Sequence, residues 1–197
     1  FTGDQSSWAS VDGASSGMLP YNDGDGEKEF TIEITPDDSI EANSQKSITI
    51  QGKDGNLEKC SADVTITVGQ SHGASISLGN TALYNIEPGE DTSTTLTVTN
   101  QGNGPDTFRI TASTPPSGWT VSLESSTIST QSRHGNDKSG TIEVSISLPT
   151  GALATEEITI TFSVMPTSSG GAYDTQELTI TVKAVHGMSG GGQADDQ

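Results

Sequence analysis

Apolar residues alternate with polar ones along most of this chain, at the period of two expected of strands with one buried face. Seven such runs fall within residues 74–186: Ile76/Leu78, Leu96/Val98, Phe108/Ile110, Trp119/Val121/Leu123, Ile142/Val144/Ile146/Leu148, Ile158/Ile160/Phe162/Val164 and Leu178/Ile180/Val182/Ala184. Thr and Ser fill most of the positions between and are expected to face solvent. The runs are separated by Glu87-Pro-Gly-Glu90, Gln101-Gly-Asn-Gly-Pro105, Pro115-Pro-Ser-Gly118, His134-Gly-Asn-Asp137 and Ser168-Ser-Gly-Gly171. Gly supplies positive φ, Pro presets φ, and Asn and Asp bond their own backbone, so each reads as a turn. Seven short strands with no helical period predict an all-β fold, an immunoglobulin-like β-sandwich.

The pattern also repeats. Phe30-Thr-Ile-Glu-Ile34 matches Gly140-Thr-Ile-Glu-Val144, Ser47-Ile-Thr-Ile50 matches Glu157-Ile-Thr-Ile160, and Thr65-Ile-Thr-Val68 matches Thr179-Ile-Thr-Val182. Trp8 and Trp119 stand at the heads of the two copies, 111 residues apart, and Ile32 and Ile142 are 110 apart. The second copy has further strands before its tryptophan; only seven residues precede Trp8. The expectation is a tandem array. Residues 1–70 read as the C-terminal half of one sandwich, 71–186 as a complete seven-stranded one, and 187–197 as a flexible Gly-rich tail or linker. Val11 is out of phase with Trp8, so the first strand is expected to be bulged or short. A half-sandwich would expose its apolar inner face and an unpaired edge. Three sources for its missing strands are open: an upstream part of a longer parent, which is favoured, residues not seen, or a donated strand from a neighbouring subunit, which would build a filament.

The expected core residues are Trp8, Phe108, Trp119, Ile160, Phe162 and Ile180. Trp119, in phase with Val121 and Leu123, is expected to plug the space between the sheets. Cys60 is the single cysteine, so no intrachain disulfide forms. It stands just before a strand and reads as a small apolar side chain, with an intermolecular disulfide as the alternative.

Only 29% of the 197 residues are hydrophobic, and the formal net charge is −18 with 8 Lys and Arg. The low apolar content still fills a sandwich core, because each strand needs one apolar face. The charge argues against nucleic acid, whose phosphates need a basic surface, and against anionic lipid. Charge repulsion for solubility and a high-salt milieu are both compatible with the acidity. No stretch is long and apolar enough for a membrane span.

Asn22-Asp-Gly-Asp-Gly-Glu27 is the one metal-like segment. Asp23, Asp25 and Glu27 could offer oxygens to calcium, the sole candidate cofactor. The spacing fails the EF-hand order because Tyr21 falls where the first ligand belongs, and a hydrophilic turn is the favoured reading. His72, His134 and His186 lie in linkers or turns without ligand spacing. No nucleophile motif appears. The expected activity is therefore non-catalytic.

Ile86-Glu-Pro-Gly-Glu90, Thr94-Thr-Leu-Thr-Val-Thr-Asn100, Gly102-Asn-Gly-Pro-Asp-Thr-Phe108 and Pro116-Ser-Gly-Trp-Thr-Val-Ser-Leu123 together resemble the NPCBM-associated and CARDB-like Ig-like repeats of bacterial and archaeal surface proteins. The resemblance covers residues 74–185. It implies an extracellular β-sandwich used in strings as spacer, stalk or adhesion element at the cell surface, and it carries no catalytic residues across. The expected partners are neighbouring repeats or subunits, with surface glycan as a further candidate. The rival reading is an accessory carbohydrate-binding module of a secreted enzyme, using Tyr84, Trp8 or Tyr173 as sugar platforms.

Overall fold

The alternating runs are strands. The computed structural model describes residues 1–3, 5–11, 29–167 and 170–184. The acidic segment with Asp23, Asp25 and Glu27 lies outside the described residues, as do His186 and the tail at 187–197. The chain divides into two compact units, Phe1–Ser71 and His72–Gln197.

The second unit holds nine strands in two sheets. They are β5 (Ala74–Leu78), β6 (Ala82–Ile86), β7 (Asp91–Asn100), β8 (Asp106–Ala112), β9 (Thr120–Leu123), β10 (Thr127–Thr130), β11 (Ser139–Ser147), β12 (Glu157–Pro166) and β13 (Asp174–Val182). One sheet runs β5-β7-β11-β9 and the other β10-β8-β12-β13-β6. All pairings are antiparallel except β6 with β13. The inward positions of both sheets merge into one core, as face-to-face packing requires. Leu96, Val98, Val144, Ile146, Phe108, Phe162, Ile160, Leu178 and Ile180 are all sealed from solvent there.

The count of nine corrects the seven strands read from sequence. The two additions, β6 and β10, have physical reasons to be quiet. In β6 the order Ala82-Leu-Tyr-Asn-Ile86 has no alternation, and Asn85 adopts a left-handed φ of 58°. Its pairing with β13 is parallel and remote, and it slips register between Thr181 and Val182. In β10 a single apolar side chain, Ile128, cannot show a period. Conversely, Ala184 lies beyond the end of β13 and is exposed.

The chain leaves β5 in one sheet for β6 in the other just after Gly79. The Gly79 N–H donates to Thr95 O at 2.8 Å, and a Cβ there would lie 2.4 Å from Thr95 Oγ1. Two polar links stitch the sheets elsewhere. Asp174 of β13 accepts from the Ile76 N–H of β5 at 3.0 Å. Asn100, at the end of β7, reaches the backbone just beyond β10, donating to Gln131 O at 2.9 Å.

Trp119 is buried and packs into the core immediately before β9. Its N–H donates to Pro116 O at 3.1 Å, closing a four-residue turn in which Gly118 has φ +89°. A positive φ at the third position defines a type II turn and favours glycine. A Cβ on Gly118 would also meet Pro149 Cβ at 3.2 Å. Gly118→Ala is therefore expected to destabilise the unit by about 1–2 kcal/mol, read as a lower thermal midpoint; an unchanged midpoint contradicts this account of the turn.

The first unit contains β1 (Ala9–Val11), β2 (Ile32–Ile34), β3 (Gln45–Asp54) and β4 (Leu57–Thr67). β1 pairs with β2, and β3 with β4, both antiparallel. The repeated sequence thus has repeated pairing: β1–β2 stands to β3–β4 as β9–β11 stands to β12–β13. Trp8 is not in a strand. It ends a 3₁₀ turn, Ser6–Trp8, with its N–H on Gln5 O at 3.0 Å, as Trp119 bonds Pro116. That turn explains why Val11 is out of phase: the strand begins after the tryptophan, at Ala9. Trp8, Ile48 and Val68 form a small buried core, flanked by Ala9, Ile34, Ile40 and Ile66.

Phe30 precedes β2 and is 40% exposed. One expectation about this unit is corrected. Cys60 lies inside β4 and is exposed. The hairpin β3–β4 runs on past the apolar repeat to a turn at Gly55-Asn56, and Cys60 belongs to that solvent-facing extension opposite Gly52.

Candidate functional site

Among the described residues no group of three His, Cys, Asp or Glu side chains could hold a metal ion. His72 and His134 are each engaged locally instead. His72 Nδ1 lies 2.6 Å from Asp106 Oδ2, tying the start of the second unit to the start of β8. His134 Nε2 accepts from Arg133 Nε at 3.0 Å. Lys183, just past β13, is paired with Glu87 at the end of β6. The hydrogen bond to that carboxylate, and then its charge, raise the Lys183 ammonium above its ordinary pKa. Both partners are half-exposed, so the pair closes a strand end in solvent and contributes little stability.

The candidate sugar platforms are placed very differently. Trp8 is buried in the small core of the first unit. Tyr173 is partly covered, with its ring edge-on to Phe108 at 6.0 Å between centroids and 87° between planes. Tyr84 is 66% exposed on β6, at the free edge of the five-stranded sheet. Of the three, Tyr84 alone presents a ring a ligand could stack on. On the other, four-stranded sheet, hydroxyls are engaged with one another, including Thr97 with Thr141 at 3.1 Å and Thr99 with Ser139 at 2.7 Å.

A concave feature of the first unit is bordered mainly by apolar side chains. A cleft of about 520 Å³ opens between its two small sheets, bordered by Phe1, Val11, Phe30, Ile32, Ile50 and Cys60, with Gln51, Gly52 and Lys53 of β3 along one wall. The side-chain carbonyl of Gln51 is buried without a hydrogen-bond partner, although its amide donates to Glu58 at 2.6 Å. Sequence reasoning passed over these residues. The signal that marks them is the repeat itself: Ile48 and Ile50 correspond to Ile158 and Ile160, so Gly52 stands where the second unit has Phe162.

Residues 86–165 match the family model described as NPCBM-associated, NEW3 domain of alpha-galactosidase. The stretch runs from the end of β6 into β12, and the resemblance to NPCBM-associated domains carried by the Pro-Gly-acid, Thr-Asn and Gly-Trp motifs holds there. No curated protein sequence matches the chain. Several solved structures are similar to parts of the chain. A family 123 glycoside hydrolase from Clostridium perfringens aligns with a TM-score of 0.43 and 11% identity, over 58% of this chain and 27% of that one. Domains 4 and 5 of the S-layer protein SbsC align at 0.40 and 19%, over 78% and 62%. The zebrafish RET cadherin-like domains 1 to 4 align at 0.37 and 16%, over 90% and 41%. This chain thus spans less than two thirds of each of those three. No helix among the described residues is long and apolar enough to cross a membrane.

Proposed function

We propose that this chain is a non-catalytic structural module of an extracellular surface protein, a spacer or adhesion element whose partners are neighbouring modules. The observation that supports this reading best is how the second unit spends its residues. Most of its large apolar side chains are committed to one continuous core, most of its outward strand positions are Ser, Thr and acidic groups, Asn100 folds its own loop, and Asp174 ties β13 to β5. Such a body is stiff, soluble and repeatable. The tandem sequence and the strongly acidic surface fit a string of these bodies in water. Immunogold labelling of intact source cells tests it: label on the outer surface is expected, and label confined to the cell interior sinks the proposal.

A second reading is favoured by the family match and by Tyr84. The matched model takes its name from an alpha-galactosidase, and an exposed ring on a sheet edge is what a sugar-binding accessory module would need. On that reading a glycan array shows a saturable ligand whose binding drops at least tenfold in Tyr84→Ala. A blank array, or equal binding by the variant, leaves the structural reading alone.

A further inference from the structure

The edge of the second unit at β6 carries more than one exposed ring. β6 pairs in parallel with β13, Leu83 opposite Ile180 and Tyr84 opposite Thr181. β13 pairs in turn with β12, Ile180 opposite Ile158 and Thr181 opposite Glu157. Directly paired residues share a face of their sheet. Ile158 and Ile180 are buried in the core and Leu83 packs against it, so Tyr84, Thr181 and Glu157 form one row on the outward face. Neighbouring strands lie roughly 5 Å apart, so this row spans about 10 Å. The rim of a six-membered sugar ring stacked on Tyr84 therefore reaches toward Thr181 and Glu157.

The backbone is bent to widen this row. The register slips between Thr181 and Val182, where Ile86 takes the next position, so Asn85 is an extra residue in β6. Its φ of 58° is left-handed, a conformation that residues with a Cβ disfavour and Asn tolerates best. The result is that Tyr84 and Asn85 are both exposed in succession, and Ile86 returns to pack against the core. A bulge at a sheet edge that re-aims side chains in this way is a device found beside functional positions. The core uses Leu83 and Ile86; the tyrosine ring and the carboxamide next to it are left for solvent or a ligand.

The charges around the row define what it would accept. Glu157 and Glu177 are exposed on this face. Lys183, two residues beyond Thr181, is already paired with Glu87. An acidic sugar would bring its carboxylate or sulfate against Glu157. A small cation would gain little, because attraction to one exposed carboxylate is screened by water and salt. Uncharged hydroxyl groups suit the site better. Resting on the sugar-binding reading above, we infer that Tyr84, Asn85, Thr181 and Glu157 form a subsite for a neutral pyranoside. The C–H face of the sugar stacks on the Tyr84 ring. Two vicinal hydroxyls on its rim donate to the Glu157 carboxylate, and the Asn85 carboxamide and Thr181 hydroxyl each offer a donor and an acceptor.

The full chain is screened on an array of neutral, acidic and amino-sugar glycans, and the binding constant of each hit is measured by calorimetry at low and high salt. Neutral glycans are expected to bind, with an affinity that does not change with salt. Glu157→Gln removes the charged acceptor and should weaken binding about tenfold. Asn85→Gly keeps the left-handed backbone, removes the carboxamide and should weaken it about threefold. Both replaced side chains are exposed, and an unchanged thermal midpoint shows that each variant is folded. Binding of acidic or amino-sugar glycans alone, lost in Tyr84→Ala, overturns the inference and leaves the sugar-binding reading standing. So does neutral-glycan binding that Tyr84→Ala abolishes but Glu157→Gln and Asn85→Gly leave untouched. A blank array overturns both.

Discussion

Trp119→Ala should destabilise the second unit by about 3–5 kcal/mol, and Trp8→Ala should abolish cooperative folding of the first. The two tryptophans occupy equivalent places, each closing a turn through its N–H to the residue three before and then dropping its ring into the core. Their surroundings differ. Trp119 is one of eighteen buried residues in a continuous cluster spanning both sheets. Its loss leaves a cavity lined by strands that remain held from both sides. A domain with ordinary stability of about 5–15 kcal/mol survives that, with a thermal midpoint lower by on the order of 15 °C. Trp8 is one of three buried residues, and removing it leaves Ile48 and Val68 with partly exposed neighbours. Below a certain core size no cavity term applies, because there is no core left to hold its shape. Calorimetry of the whole chain separates the cases: Trp119→Ala should move the larger transition down and Trp8→Ala should erase the smaller one. Equal shifts from the two substitutions, or none, contradict this division of the molecule.

The seven strands with a period-two pattern were legible because each is buried on one face over at least two inward positions, the condition that imprints alternation on a sequence. The strands that escaped lack it. β6 takes a parallel partner ninety-odd positions later and turns Tyr84 and Asn85 outward in succession; β10 offers one apolar residue. Past Ile50 and before Val64, β3 and β4 are held by each other's backbones and not by a core, so their composition is that of a loop. Burial of individual residues follows the same logic. Cys60 sits on that extension, so its apolar character says nothing about its position. The cleft beside Gly52 was hidden for a different reason. It is defined by what Gly52 lacks relative to Phe162, and the correspondence becomes a cavity only once the strands are placed. Turn chemistry located the Gln101–Pro105 loop, yet the structure gives that loop a function in the fold that composition does not signal.

That function rests on Asn100, and replacing it should be the largest single polar loss in the second unit. The residue is 1% exposed. Its side-chain amide donates to Gly104 O and to Gln131 O, both at 2.9 Å, and its carbonyl accepts from the Gly102 N–H at 2.7 Å. The loop it folds includes Gly102, Asn103 and Gly104, all buried, and the Arg133 N–H returns a bond to Gly102 O at 2.9 Å. One side chain thereby organises a buried loop of the four-stranded sheet and fastens it to the strand end of the other. Asn100→Ala orphans two carbonyls and one N–H. Each buried unsatisfied group costs about 1–3 kcal/mol, and partial relaxation brings the expected total to about 3–4 kcal/mol, comparable with losing Trp119. Asn100→Asp sharpens the test. An aspartate can still accept from Gly102, but as an anion it faces Gly104 O and Gln131 O with no proton to give. Burial and these two acceptors raise its folded-state pKa above the unfolded value. The folded protein then holds the proton more tightly, so the variant should be most stable in acid and lose stability as pH rises through the unfolded pKa to the raised folded one. Denaturant melts of both variants from acid to neutral pH should show a flat deficit for Ala relative to the parent and a widening one for Asp. A deficit for Asp that does not depend on pH would mean that its carboxylate escapes to water and that the loop is held by its backbone instead.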